Sequence, residues 1–65
     1  MEPHPAYITT YHSIGGWKAV LMTWNGDFGF YEPYQTSAAG GFKNRKHAIV
    51  DAKYWAKDEE IDYKD

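Results

Sequence analysis

Asn25 and Gly26 lie between two segments, residues 17–24 and 27–37, that are rich in aromatic and β-branched side chains. Asn-Gly is the dipeptide most typical of two-residue hairpin turns, because both central positions of such a turn need a positive φ. The two segments are therefore predicted to be neighbouring antiparallel strands. Pro33 has no backbone N–H, so the second of these strands should lie at an edge of its sheet.

A two-residue turn would fix the register of this hairpin, and side chains would then alternate between its two faces. The directly opposed pairs would include Trp24 with Asp27, Leu21 with Phe30, and Val20 with Tyr31. The first face would carry Trp17, Ala19, Leu21, Phe28, Phe30 and Tyr34. The second face would carry Lys18, Val20, Met22, Trp24, Asp27, Tyr31 and Pro33. Neither face is polar, although a hairpin usually has one side that suits water.

Two further segments complete the predicted fold. Residues 6–13 have the aromatic and β-branched composition of a first strand. Residues 44–60 predict a helix that begins at Asn44, a favourable N-cap residue. Its apolar stripe consists of Ala48, Ile49, Ala52, Trp55 and Ala56. We therefore expect an α+β fold, a three-stranded antiparallel sheet packed on one C-terminal helix in the order β-β-β-α.

The chain of 65 residues is long enough for one small domain. Prolines near the start predict an extended N-terminal segment, because the residue before a proline avoids helical conformation. The expected parts of the single domain, residues 1–65, are a flexible N-terminal arm at 1–5, a flexible connection at 38–41 and a C-terminal tail at 61–65.

One helix can cover only one face of the sheet. The first face has more large apolar side chains and is expected to meet the helix. The second face then stays open unless a terminus folds over it, and soluble monomers rarely expose a large apolar patch. The open face is therefore the leading candidate for a partner-binding surface, with Met22, Trp24, Asp27 and Tyr31 as its proposed contact residues.

The charges of the predicted helix are reversed relative to its macrodipole, which favours acids at the N-terminus and bases at the C-terminus. Its basic start contains Lys43, Arg45 and Lys46, and its acidic end contains Asp58, Glu59 and Glu60. Exposed charges can serve solubility alone, so this pattern has two interpretations. The functional one assigns the acidic end to a basic surface of a partner protein and, alternatively, the basic start to nucleic acid.

No motif for catalysis or metal binding is present in the sequence. The three histidines, His4, His12 and His47, lack the four-residue spacing of a helical zinc site, and there is no cysteine. We expect a non-catalytic protein with no cofactor and no metal. The sequence shows no signal peptide and no apolar run of about 20 residues, which predicts a cytoplasmic protein without a membrane segment.

The order of three strands and a helix, with the stretch FKNRKHAIVDAKYWAK, resembles the plant ethylene-response type of DNA-binding domain and the related integrase arm-binding domains. That resemblance implies a nucleic-acid-binding module. In this sequence the alternative function is such a module, which would use Lys43, Arg45 and Lys46 together with aromatic stacking from Trp24 and Tyr31. Those families read DNA with arginine-rich strands, whereas these strands carry only Lys18 and the net charge is −2. Nucleic acid is therefore the less favoured partner.

The small size, the lack of cysteine, the acidic balance and the sheet–helix build are similar to those of small bacteriophage-encoded inhibitors, including the anti-CRISPR proteins. This resemblance implies a stoichiometric inhibitor of a host protein or complex that handles nucleic acid or serves in defence, of the CRISPR-Cas type. A homodimer that buries the second face is a further possibility.

Overall fold

The computed structural model describes residues 4–37 and 41–65. Its elements in chain order are β1 (Tyr7–Ser13), β2 (Gly16–Asn25), β3 (Phe30–Thr36), α1 (Arg45–Glu59) and β4 (Asp62–Tyr63). The four strands form one sheet in the order β3-β2-β1-β4. The predicted α+β fold, a three-stranded antiparallel sheet with one C-terminal helix, is confirmed. Residues 1–3 of the expected arm and 38–40 of the expected connection lie outside the described residues.

The short strand β4 is an addition to the predicted fold, because no strand was predicted in residues 61–65, the expected C-terminal tail. Asp62 and Tyr63 pair in parallel with Tyr7 and Ile8 of β1. The backbone N–H of Lys64 then donates a hydrogen bond of 2.9 Å to the carbonyl of Ile8. A two-residue strand is too short to show the alternating pattern that predicts a strand. Its pairing depends on where α1 ends and on the direction of the chain after it.

The turn between β2 and β3 differs from the expected two-residue turn. Four residues, 26–29, form it, and Trp24 therefore faces Tyr31 instead of Asp27. The Asn25 side chain is the reason: its Oδ1 accepts the backbone N–H groups of Asp27 (3.0 Å) and Phe28 (3.2 Å). Such an Asx turn competes with the tighter Asn-Gly turn. Gly29 closes the loop at φ +76° and donates its N–H to the Asn25 carbonyl.

The longer turn also overturns the expected contacts of the first face. Phe28 leaves the sheet, and a register irregularity between Leu21 and Met22 displaces Tyr34 from direct pairing. The helix α1 contacts β1, β2 and β4 but not β3. Phe28, Phe30 and Tyr34 are consequently 73%, 51% and 73% exposed and do not meet the helix, contrary to the prediction.

The core lies between α1 and the two central strands. Its fully buried members are Ile8 and Ala19 from the sheet and Ala48 and Ala52 from the helix. Small alanines allow a helix to approach a sheet closely, and larger side chains then seal the rim of the contact. These surrounding residues are Leu21, Trp55, Ile61 and Tyr63. The predicted apolar stripe of the helix is thus the side that packs on the sheet.

Both ends of α1 depend on backbone geometry. Asn44 occupies the N-cap position, as predicted, but its side chain makes no capping hydrogen bond. At the other end Glu60 has a left-handed backbone, with φ 58°. Its N–H bonds to the Lys57 carbonyl, and the N–H of Ile61 bonds to the Ala56 carbonyl. This pair of bonds is a Schellman motif, which turns the chain back towards β1.

The chain re-enters the sheet region just before α1. Phe42 forms a bridge with Trp17 through two backbone hydrogen bonds of 2.8 Å. The approach is so close that a Cβ atom on Gly16 would lie 2.6 Å from the Phe42 carbonyl oxygen, and one on Gly41 would overlap the backbone of Gly15. Glycine is therefore required at positions 16 and 41 for this contact.

Candidate interaction surface

One face of the sheet points away from α1, and we call it the open face. The register of β1, β2 and β3 and the alternation of side chains define its members. They are Tyr7, Thr9, Tyr11, Lys18, Val20, Met22, Trp24, Tyr31, Pro33 and Thr36. The true register differs from the predicted one by an even number of residues around Trp24. Met22, Trp24 and Tyr31 therefore still share a face, as the sequence predicts.

A shallow groove of about 470 Å³ crosses the middle of the open face. Val20 is buried and Met22 is half-buried in it, whereas Tyr11 and Pro33 are exposed. The residues that line it are Thr9, Tyr11, Val20, Met22, Pro33 and Thr36. No carboxylate, imidazole or amine belongs to this lining. The lining is therefore mainly apolar and suits an apolar group, with the hydroxyls of Thr9, Tyr11 and Thr36 as its polar groups.

The N-terminal arm covers one end of the open face. The His4 ring stacks on Trp24, with 3.7 Å between ring centroids and an angle of 14° between the planes. The Tyr31 hydroxyl donates a hydrogen bond of 2.9 Å to the Pro5 carbonyl. Tyr31 also packs edge-on against Tyr7, with centroids 4.8 Å apart. The arm thus reaches Trp24 and Tyr31, while the groove around Val20 and Met22 has no described segment over it.

The structure brings together only some of the predicted contact residues. Met22, Trp24 and Tyr31 are neighbours on the open face, and Asp27 is exposed in the adjoining turn. The acidic end, Asp58, Glu59 and Glu60, is exposed at the end of α1. Because α1 packs on the opposite side of the sheet, the acidic end does not border the open face. The two sets of predicted contact residues therefore form separate surfaces.

The basic start of the helix is partly engaged within the chain. The Arg45 Nη2 atom lies 2.5 Å from Asp65 Oδ1, and this is the one ion pair among the described residues. The Arg45 guanidinium also lies 5.7 Å from the centre of the Trp17 ring. Lys43 and Lys46 are exposed. Of the three residues proposed for nucleic-acid binding, two thus present a free side chain.

Asp65 joins the C-terminus to both Arg45 and Tyr63. The Tyr63 hydroxyl donates a hydrogen bond of 3.1 Å to Asp65 Oδ1. Hydrogen bonds from Arg45 and Tyr63, together with the Arg45 charge, lower the pKa of the Asp65 carboxyl. Partial burial, followed by the bond to Asp65, raises the pKa of the Tyr63 hydroxyl. We call Arg45, Tyr63 and Asp65 the C-terminal latch.

Sequence reasoning missed the contribution of β1 to the open face. Tyr7, Thr9 and Tyr11 alternate along the strand and all reach this face. Pairing residues 6–13 with β2 would have found them, because the short Ile14-Gly15 turn fixes that register. The exposed pair Phe28 and Phe30, stacked with centroids 5.9 Å apart, was also missed. Its position depends on the Asx turn.

A second exposed apolar area lies on the outer side of α1. Val50 and Tyr54 are exposed there, and Lys53 and Lys57 flank them around a shallow concavity of about 250 Å³.

Within residues 4–37 and 41–65, no group of three His, Asp or Glu side chains could hold a metal ion. No helix among these residues is long and apolar enough to cross a membrane.

Comparison with known proteins gives no relative. No family model, curated protein or solved structure matches the chain. The open face is therefore the feature from which a function has to be inferred.

Proposed function

We propose that this chain is a non-catalytic protein-interaction module and that the open face is its docking surface. The observation that carries the proposal is the apolar groove, which no element of the described chain covers because α1 packs on the other side of the sheet. Exposed apolar surface of this kind marks interaction sites in soluble proteins. Tyr11 in its lining and Trp24 on the same face are aromatic side chains, the type enriched at interfaces.

The partner that we propose is a host protein or complex that handles nucleic acid or serves in defence, of the CRISPR-Cas type. The support is the resemblance to small bacteriophage inhibitors in size, lack of cysteine and acidic balance. Such a target has basic surfaces, and the acidic end of α1 complements them. Since the acidic end and the open face lie on opposite sides of the sheet, a partner that contacts both must wrap around an edge of the molecule.

The test compares two variants in a capture experiment with host lysate. Met22→Glu places a charge in the groove and should abolish recovery of a stoichiometric partner. Tyr54→Ala changes a residue that is 72% exposed on the outer side of α1 and should leave recovery intact. Circular dichroism checks that both variants fold. Equal recovery by wild type and Met22→Glu, or no stoichiometric partner for the wild type, would refute the proposal.

The alternative, a small nucleic-acid-binding module, retains Lys43 and Lys46 as free cations beside the engaged Arg45. Binding through phosphates would weaken steeply with salt. A titration with single- and double-stranded oligonucleotides at low and high salt measures this directly.

A homodimer through the open face would instead appear as a doubled mass in light scattering at micromolar concentration.

A further inference from the structure

Trp24 and Tyr31 form a corner in which a planar side chain is already bound. We call these two residues the aromatic corner. Their rings are 5.2 Å apart at 73°, so one presents its face and the other stands nearly at right angles to it. His4 stacks on the Trp24 face at 3.7 Å and meets Tyr31 edge-on at 6.3 Å. The arm thus supplies a flat nitrogen-containing ring to this corner.

The attachment of the arm at this corner is slight. One ring stack on Trp24, one edge-on ring contact with Tyr31 and one hydrogen bond, from the Tyr31 hydroxyl to the Pro5 carbonyl, hold residues 4 and 5 to the corner. The hydrogen bond is exposed to solvent, where water competes for both groups. Pro5 has no backbone N–H with which to add a second bond. A partner side chain that stacks better than imidazole can therefore displace His4.

The charges of the hairpin favour a cation at the corner. Asp27 is exposed in the turn next to Trp24, and no base occurs between positions 19 and 37. Glu32, the other acid in that range, lies opposite Thr23 on the other face and accepts a hydrogen bond from the Asn25 amide. Two cations lie on this side of the sheet away from the corner. Lys18 is near the far end of β2, and Lys64 Nζ lies 5.0 Å from the centre of the Tyr7 ring, beyond Tyr31. Trp is the aromatic ring that attracts cations most strongly.

Arginine combines the two properties that the corner selects. Its guanidinium is planar, always charged, and stacks on aromatic faces, whereas the ammonium of lysine is a compact and strongly hydrated charge. The chain itself contains such a contact, since the Arg45 guanidinium lies 5.7 Å from the Trp17 ring centre.

We propose that the aromatic corner binds an arginine side chain of the partner protein, and that His4 occupies the corner until the partner displaces it. This inference rests on the proposed function, because it assigns the side chain by which the partner is recognised.

The experiment measures binding of N-acetyl-arginine amide by NMR, through the ring-proton signals of Tyr31, which every variant tested retains. Binding to His4→Ala should be at least about threefold tighter than to wild type, because an internal competitor lowers the apparent affinity of the site. N-acetyl-citrulline amide, which has nearly the same shape without the charge, and N-acetyl-lysine amide should bind more weakly. Trp24→Leu should abolish the effect, and Tyr54→Ala should preserve it.

Several results would overturn the inference. These are equal affinity of wild type and His4→Ala, equal binding of the arginine and citrulline compounds, or preferential binding of adenosine monophosphate, which would indicate a nucleobase site.

The result of this binding experiment can be separated from the result of the capture experiment that tests the proposed function. Arginine binding without a captured protein partner supports the corner and refutes the module. A captured partner that is lost in Met22→Glu, with no arginine binding, supports the module and refutes the corner.

Discussion

Glu60 ends α1 in a backbone conformation that suits glycine better than any other residue. Its φ of 58° is the one positive φ among the described non-glycine residues. Glu60→Gly should raise the free energy of unfolding by about 0.5–1 kcal/mol, because the left-handed strain is removed. In a domain of this size that corresponds to a rise in Tm of about 2–8 °C. Glu60→Gln removes the charge alone and should give a smaller rise; an equal rise would assign the effect to charge.

Gly16 and Gly15 are adjacent, but substitution by alanine should destabilise the fold at Gly16 and have little effect at Gly15. Gly16 has φ +117°, and an added Cβ would lie 2.6 Å from the Phe42 carbonyl oxygen. Gly16→Ala should therefore destabilise the fold by about 1–3 kcal/mol or more, as measured by urea unfolding. Nothing lies within 4 Å of a Cβ on Gly15, so Gly15→Ala should stay within about 0.5 kcal/mol of wild type. Similar losses for both variants would contradict the close approach of Phe42.

At the scale of the element, Asn25 determines the turn between β2 and β3. Its Oδ1 accepts two backbone N–H groups, whereas the Asn44 side chain makes no capping bond at the start of α1. Asn25→Ala should cost about 1–2 kcal/mol, because it removes these two hydrogen bonds and the one that the Asn25 amide donates to Glu32. Asn44→Ala should change the unfolding free energy much less, although Asn is a favourable N-cap residue. The reverse order in thermal unfolding would show that sequence preference, not the observed bonding, governs these positions.

The hairpin also shows how far the sequence can predict elements. Asn25-Gly26 correctly predicted a connection between β2 and β3 but not its length, because an Asx turn and an Asn-Gly turn begin with the same residue. Around Trp24 the error changed the pairing by an even number of residues. Met22, Trp24 and Tyr31 therefore stayed together, while Phe28 moved out of the sheet. Alternation along a strand is thus more predictable than register.

At the scale of the whole molecule, the C-terminal latch makes stability depend on pH and salt. The pKa of Asp65 is lower in the folded state, so its contribution is present above the ordinary carboxyl pKa of 3.8 and is lost as pH falls through the folded value. Wild type should melt above Asp65→Asn at neutral pH, and the gap should close in acid and shrink in 1 M salt. A gap that is constant across both conditions would exclude the ion pair with Arg45 as its cause.

Tyr63 makes the stability of the latch depend on pH in the opposite direction, at alkaline pH. The pKa of Tyr63 is raised in the folded state above its ordinary value of 10.0, chiefly by partial burial. The stability that this shift contributes is complete below pH 10 and is lost as pH rises through the folded value of the Tyr63 pKa.

The latch itself could not be predicted from sequence, since it joins residues 45, 63 and 65 through the pairing of β4 with β1. For the same reason the sequence did not show that the acidic end and Trp24 lie on opposite sides of the sheet.

The position of Pro33 has a consequence for behaviour at high concentration. It lies in the edge strand β3, opposite Met22 and next to the register irregularity, so the outer rim of the sheet lacks a complete row of N–H donors. Edges of this kind are poor templates for another strand, which blocks the route by which apolar sheets stack into fibrils. At this edge, therefore, another strand is a poor addition to the sheet. The other edge differs, because β4 pairs only with Tyr7 and Ile8 and leaves the remainder of β1 without a neighbouring strand.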